Sequence, residues 1–172
     1  LSEYESRQLL VDYDLPVVPF KLANSPQEAI DAATFYDGPV AMKIASPDIV
    51  HKTEVGGVSL DVESTESVRN SYNRLIENVN QNRPAADIDG VLISPMANEG
   101  IELVVGVTVD EEVGPVMMFG LGGIYVEVLE DVTFRGLPLT PEDAHQLVSG
   151  IEATEVLDGV RNGIEVNREA LE

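Results

Sequence analysis

The apolar residues of this chain change their period part-way along it. Through about Met96, segments with apolar residues three and four apart alternate with short runs in which they lie two apart; from Ile101 onward the two-residue period dominates. The first period buries a stripe of a helix, the second one face of a strand. One layer pattern cannot serve both halves. The expectation is an α/β (α+β) chain in two lobes with mixed sheets and a cleft between them. Residues 1–95 make the first lobe and residues 96–172 a strand-rich second lobe, joined near "SPMANEG".

In the first half, "LSEYESRQLL" reads as a helix with Tyr4, Leu9 and Leu10 among its apolar positions, followed by a turn and a short strand within "LPVVPF". "SPQEAIDAATFY" opens a second helix, with Ser25 as N-cap, Pro26 in the first turn and Glu28 completing a capping box. "PVAMKIA" alternates, with Val40, Met42 and Ile44 on one face and Ala41, Lys43 and Ala45 on the other. "GVSLDV" places Val58, Leu60 and Val62 on one side. Residues 65–80 carry Val68, Tyr72, Leu75 and Val79 at helical spacing, and "DGVLISPM" is a strand running into Pro95.

In the second half, "IELVVGVTV" sets Ile101, Leu103, Val105, Val107 and Val109 on one face. "GPVMMFG" is a short apolar strand, and "LGGIYVEVLEDVTFRGLPL" reads as glycines feeding two further strands. "TPEDAHQLVSGI" is a helix capped by Thr140, with Ala144, Leu147, Val148 and Ile151 inward. His145 falls on its flank beside acids and reads as surface.

Charge bounds the partners. The chain has 31 acidic against 10 basic residues, a formal net of −21, and no cysteine. A field of that sign repels nucleic acid and anionic membranes, and no apolar run approaches the roughly 18 residues a membrane span requires. Disulfides, zinc–thiolate sites and thiol nucleophiles are excluded together. A cytoplasmic location is expected. The acids are scattered and only three lysines remain, which points to a surface adapted to a high-salt, halophilic cytoplasm. The chain opens on Leu1 and closes on "REALE" within a helical pattern, so both ends read as cut.

The residues that could do chemistry cluster after the "PVAMKIA" strand. Lys43 sits within an apolar run, where an unpaired ammonium costs several kcal/mol, so it needs an anion or a route to solvent. A phosphate at a cleft mouth meets that need. The following loop, "SPDIVHKTEVGG", supplies His51, and its Gly56 and Gly57 lack side chains that would keep backbone N–H groups from phosphate oxygens.

"PVAMKIASPDIVHKTEVGGVSL" closely resembles the ATP-grasp domain of NDP-forming acyl-CoA synthetases, the ADP-forming acetate–CoA ligase family. "GPVMMFGLGGIYVEVLEDVTFRGLPL" resembles the glycine-rich second-lobe segment of the same family, and weaker similarity extends over nearly all 172 residues. The resemblance implies a reaction in which acyl-CoA, ADP and phosphate interconvert with the free acid, CoA and ATP. A CoA-binding alpha subunit or domain forms an acyl phosphate and captures the phosphoryl group on its own histidine. The nucleotide-binding part then receives it.

By the same resemblance His51 is a catalytic nucleophile and phosphoryl relay, a role that a neutral imidazole can fill near pH 7. Lys43 holds nucleotide phosphates. Ser94 and Met96 flank adenine at the hinge, and Glu102 accepts ribose hydroxyls. Gly120, Gly122 and Gly123 line the phosphate path, with Glu127 and Arg135 following on adjacent strands. ATP or ADP with Mg²⁺ is implied, but the family's magnesium ligands lie on a later segment carrying an acidic-Asn-Pro pattern. No residue here is assigned as a metal ligand, the second lobe is expected to be incomplete at its C-terminal end, and the isolated chain is expected to be inactive. Glu130 stands where the family often has a base. An alternative is a regulatory nucleotide-binding module of a protein acetyltransferase. Succinyl-CoA synthetase fits less well, because its corresponding loop is glycine-rich and lacks "SPDIVHKT".

Overall fold

The computed structural model describes residues 1–98, 100–123, 131–159 and 166–172. They form two compact units, Leu1–Asn98 and Glu99–Glu172.

The first unit holds α1 (Glu3–Asp12), β1 (Lys21–Ala23), α2 (Pro26–Tyr36), β2 (Val40–Ala45), a 3₁₀ turn (Lys52–Val55), β3 (Val58–Val62), α3 (Thr65–Asn82) and β4 (Gly90–Pro95). Its four strands lie in the order β1-β4-β2-β3, and each pairing is antiparallel. The parallel component of a mixed sheet is therefore not present among the described residues.

The core follows from the alternation. Val40, Met42 and Ile44 of β2 lie beside Val91 and Ile93 of β4, all fully buried, and α2 and α3 cover that face. From α2 come Ala29, Ile30, Ala32 and Ala33; from α3 come Val68, Tyr72, Leu75 and Val79, as the helical spacing predicts.

Several local expectations are corrected. Ser25 does cap α2, accepting the Glu28 N–H at 3.2 Å, but the Glu28 carboxylate reaches back one residue further, to the Asn24 N–H at 2.8 Å. The short strand begins at Lys21, after "LPVVPF" rather than within it. Leu60 does not share a buried face with Val62. Val40 pairs with Val62 and Met42 with Ser59, so two residues of β3, Leu60 and Asp61, oppose Ala41 alone. That bulge, with Asp61 at φ 54, buries Ser59 and turns Leu60 outward. Helix α1 is capped at both partners of a box, Ser2 and Glu5, yet buries none of its own residues, and its Leu9 and Leu10 are exposed.

The second unit holds β5 (Leu103–Asp110), β6 (Gly114–Leu121), β7 (Val132–Gly136), α4 (Pro141–Ser149), α5 (Thr154–Leu157) and α6 (Arg168–Leu171). The strands form an antiparallel sheet in chain order. Phe119 and Leu121 pack with Leu147, Val148, Ile151 and Leu157. Thr140 caps α4 reciprocally with Asp143, and His145 is an exposed residue whose Nδ1 lies 2.8 Å from a Glu172 carboxylate oxygen. The even apolar face expected of β5 is only partly buried: Ile101 and Leu103 pack on the core, but Val105, Val107 and Val109 are 60%, 60% and 74% exposed. Of the two strands expected after Gly123, the first lies outside the described residues.

Candidate functional site

The alternation that buries Met42 and Ile44 turns Lys43 to the opposite face of the first sheet, between Val58 on β3 and Leu92 on β4. There it meets α1. The Lys43 ammonium lies 3.5 Å from Glu3 Oε1, and the same oxygen accepts a 2.8 Å hydrogen bond from Arg7 Nη2, one helical turn along. The other carboxylate oxygen of Glu3 lies 3.1 Å from Lys52 Nζ. Three of the chain's ten bases thus converge on one carboxylate. Burial by itself pushes the Glu3 carboxyl up, but Lys43, Lys52 and Arg7 outweigh it and hold it below the usual carboxylate range. Arg7 Nη1 is buried without a hydrogen-bond partner. The requirement that Lys43 find an anion is met within the chain.

His51 begins the 3₁₀ turn, exposed, on a loop fixed from both sides. Before it, Ile49 is buried, the Asp48 N–H donates to Ser46 Oγ, and Asp48 Oδ2 accepts the Asp87 N–H at 2.8 Å. After it, Val55 is buried and the Gly56 carbonyl accepts from Asn78 Nδ2 at 2.9 Å. Val50, 79% exposed, and His51 project from this frame. An imidazole so placed is accessible to an incoming phosphoryl group, with Lys52 as its sequence neighbour.

Gly56 and Gly57 do not offer free N–H groups as expected. The Gly56 N–H donates to Thr53 O at 3.1 Å and the Gly57 N–H to Lys52 O at 2.7 Å, closing the turn. Their lack of a side chain has another cause. Gly56 has φ +66, and a Cβ there would stand 2.6 Å from Asn78 Nδ2; one at Gly57 would stand 3.0 Å from Lys52 O. Ser94 is buried on β4 opposite Ala41, and the Met96 N–H already donates to Pro39 O at 3.1 Å.

In the second unit Glu102, Gly122 and Gly123 come together. The Gly122 N–H donates to Glu102 O at 2.6 Å, and a Cβ at Gly123 would collide with Glu102 Oε2. Gly123 therefore leaves room for the exposed Glu102 carboxylate, and Gly122 for the Glu102 backbone, 2.8 Å from where its Cβ would stand. Gly120 is a packing glycine, since a Cβ there would lie 2.6 Å from Asp131 O and 2.7 Å from Val132 Cγ1. Arg135 is not brought to this group. It pairs with Met117 while Gly120 pairs with Val132, an odd number of residues away, so the two point to opposite sheet faces. Arg135 donates to Phe134 O, and the Asp143 carboxyl is lowered by its Thr140 hydrogen bonds and, less, by the charge of Arg135. Glu127 and Glu130 lie outside the described residues.

Glu3, Arg7 and Lys52 escaped the sequence reading. The available signal was the Glu-Arg pair four apart on α1, together with the scarcity of bases. Among the described residues no group of three or more His, Asp or Glu is placed to hold a metal ion, and no helix is long and apolar enough to cross a membrane.

A family model described as an ATP-grasp domain matches residues 1–172. The chain belongs to the ATP-grasp family. This ATP-grasp chain is 44% identical over 171 residues to the beta subunit of acetate–CoA ligase [ADP-forming] II of Pyrococcus furiosus, covering 99% of this chain and 72% of the relative. The dinucleotide forming acetyl-coenzyme A synthetase 1 of Ca. Korarchaeum cryptofilum, in complex with coenzyme A, Ca-AMPCP and HgCl+, superposes with a TM-score of 0.93 at 41% identity, over 99% of this chain and 75% of that one. The same synthetase with coenzyme A and Mg-AMPPCP, its phosphohistidine segment pointing towards the nucleotide binding site, gives 0.82 at 36% identity, over 99% and 73%.

Proposed function

We propose that this chain is the nucleotide-binding ATP-grasp part of an ADP-forming acetyl- or acyl-CoA synthetase, a ligase that interconverts acyl-CoA, ADP and phosphate with acid, CoA and ATP. The observation that carries this beyond family membership is local. An exposed imidazole stands on a fixed loop, its chain neighbour Lys52 joined to Lys43 through one carboxylate, in a chain otherwise poor in cations. Such a site suits a group that arrives as a phosphoryl and leaves on a nucleotide.

In this reading a phosphohistidine of the CoA-binding part delivers phosphorus to a nitrogen of His51. The donor P–N bond breaks as the new one forms, and the donor ring leaves as neutral imidazole. An ADP terminal oxygen then attacks the same phosphorus, the His51 P–N bond breaks and ATP forms. Lys43 and its neighbours screen charge on the transferring group. Ser94 and Met96 border adenine, Glu102 takes the ribose hydroxyls, and Gly122 with Gly123 leave space beside it. Gly56 and Gly57 act by shaping the loop. Mg²⁺ accompanies the nucleotide in a relative, but the described residues offer it no ligand cluster, so no step is assigned to it here. The acidic surface is read as salt adaptation. No observation favours the acetyltransferase-module alternative.

The test is to incubate the full-length protein with its CoA-binding part, acyl-CoA and labelled phosphate, and to map acid-labile phosphate. Label on His51, with loss of ATP formation in His51→Ala, is expected. Undiminished ATP synthesis by His51→Ala would exclude the relay.

A further inference from the structure

We propose that Arg7, Lys43 and Lys52 together bind one phosphate group, and that Glu3 is an internal anion that holds the three cations in place until that phosphate takes over part of their bonding. The proposal rests on the nucleotide-binding reading above and adds two ligands and a competitor to it.

Three features of the first unit point this way. The first is stoichiometry. Three cations face one carboxylate, leaving an excess of two positive charges, equal and opposite to the charge of a phosphate dianion, in a chain whose net charge is −21. Glu3 offsets only one of the three, so the cluster is a local positive centre within an acidic chain. The second is donor capacity. An ammonium has three N–H donors and a guanidinium five, yet Glu3 is the sole described acidic partner of each lysine here, and Arg7 Nη1 is buried with no acceptor. Arg7 Nη1 itself is enclosed, with the guanidinium 5.8 Å from the centre of the Phe20 ring, so the donors an oxyanion would meet are the remaining N–H groups of the lysines, Lys43 being the most open of the three cations, and the outer edge of the guanidinium. The third is placement. The cations come from three separate elements, α1, β2 and the 3₁₀ turn, and the last of them follows His51 directly. The cluster is thus tied through Lys52 to the loop that carries His51.

Glu3 gives the site its sense. With its side chain about one-fifth exposed, it keeps like charges together that would otherwise separate, so the site is preformed. It also repels what the site is built to take. Removing its charge while keeping its shape should tighten binding, whereas a carboxylate that merely fastens α1 to the sheet would have the opposite or no effect on an anion.

The test is calorimetric titration of the full-length protein with ADP and, separately, with inorganic phosphate, comparing wild type with Arg7→Gln, Arg7→Lys, Lys52→Gln and Glu3→Gln. Far-UV circular dichroism checks each fold. Arg7→Gln and Lys52→Gln are expected to weaken ADP binding about tenfold or more, a charged hydrogen bond each. Arg7→Lys should recover part of that loss, and Glu3→Gln should bind several-fold tighter. Weakening with both probes assigns the site to a free or transferred phosphoryl group, weakening with ADP alone to the nucleotide; either supports it. If Arg7→Gln does not fold, Arg7→Lys and Lys52→Gln carry the comparison. Normal ADP binding by wild type, Arg7→Gln and Lys52→Gln overturns this proposal and leaves the ATP-grasp reading intact. Weaker binding by Glu3→Gln reduces the cluster to a fastening. Wild type that binds neither probe removes both readings.

Discussion

Gly56 and Asn78 should behave as one unit, and their coupling can be worked out from the turn. Gly56 is at φ +66, where an L-residue costs roughly 1–2 kcal/mol relative to glycine. A Cβ at Gly56 also stands 2.6 Å from Asn78 Nδ2, the group that donates to the Gly56 carbonyl at 2.9 Å. The amide lies at the end of a rotatable side chain, so it can swing away, but the hydrogen bond goes with it, for about 0.5–1.5 kcal/mol. Gly56→Ala should therefore cost about 2–3 kcal/mol. Once Asn78→Ala has removed the amide, adding Gly56→Ala should cost only the backbone part. The double-mutant cycle should show a coupling of about 1 kcal/mol, above the few tenths at which unrelated sites add. Urea unfolding followed by tyrosine fluorescence suits the assay: the chain has no tryptophan, and four of its five tyrosines lie in Leu1–Asn98. A single-mutant cost below about 0.5 kcal/mol would refute the backbone argument. Strict additivity would refute the amide argument.

Leu75→Ala, at a fully buried position where α3 meets the sheet, should cost about 3 kcal/mol in the same assay. Glu3 is held below the usual carboxylate range, so its ion pairs stabilise the fold fully above that range and cease to do so as pH falls through the lowered value. Wild type should therefore be more stable than Glu3→Gln at pH 7, and the gap should close in acid; urea midpoints across pH check it. With a net charge of −21, the melting temperature should rise between low and molar KCl, and a flat profile removes the salt-adaptation reading.

What was legible in the sequence was whatever a periodic pattern encodes. Val68, Tyr72, Leu75 and Val79 are buried because helical spacing leaves them no other face, and Lys43 is turned from the core for the same reason on a strand. The failures have local causes. Counting by twos breaks at Leu60 because a bulge adds a residue on β3, and nothing in "SLDV" announces it. Val105, Val107 and Val109 alternate faultlessly, yet alternation says only that a face is apolar, not that something covers it. The glycine pair suggested open N–H groups, when the turn itself engages them. Arg7 was invisible for another reason. Its role depends on Lys43, Lys52 and Glu3 meeting across some 40 residues, and spacing along the chain carries no trace of such a meeting.

The frame around His51 has a kinetic corollary. With Ile49 and Val55 sunk in the core and the bonds from Asp48 and Asn78 on either side, the backbone there has little freedom to swing. The imidazole can turn about its own side-chain bonds and do little else. In the relay proposed for His51, an acceptor held by this frame needs its carrier to travel, so the distance covered during transfer would fall to the donor and not to this loop.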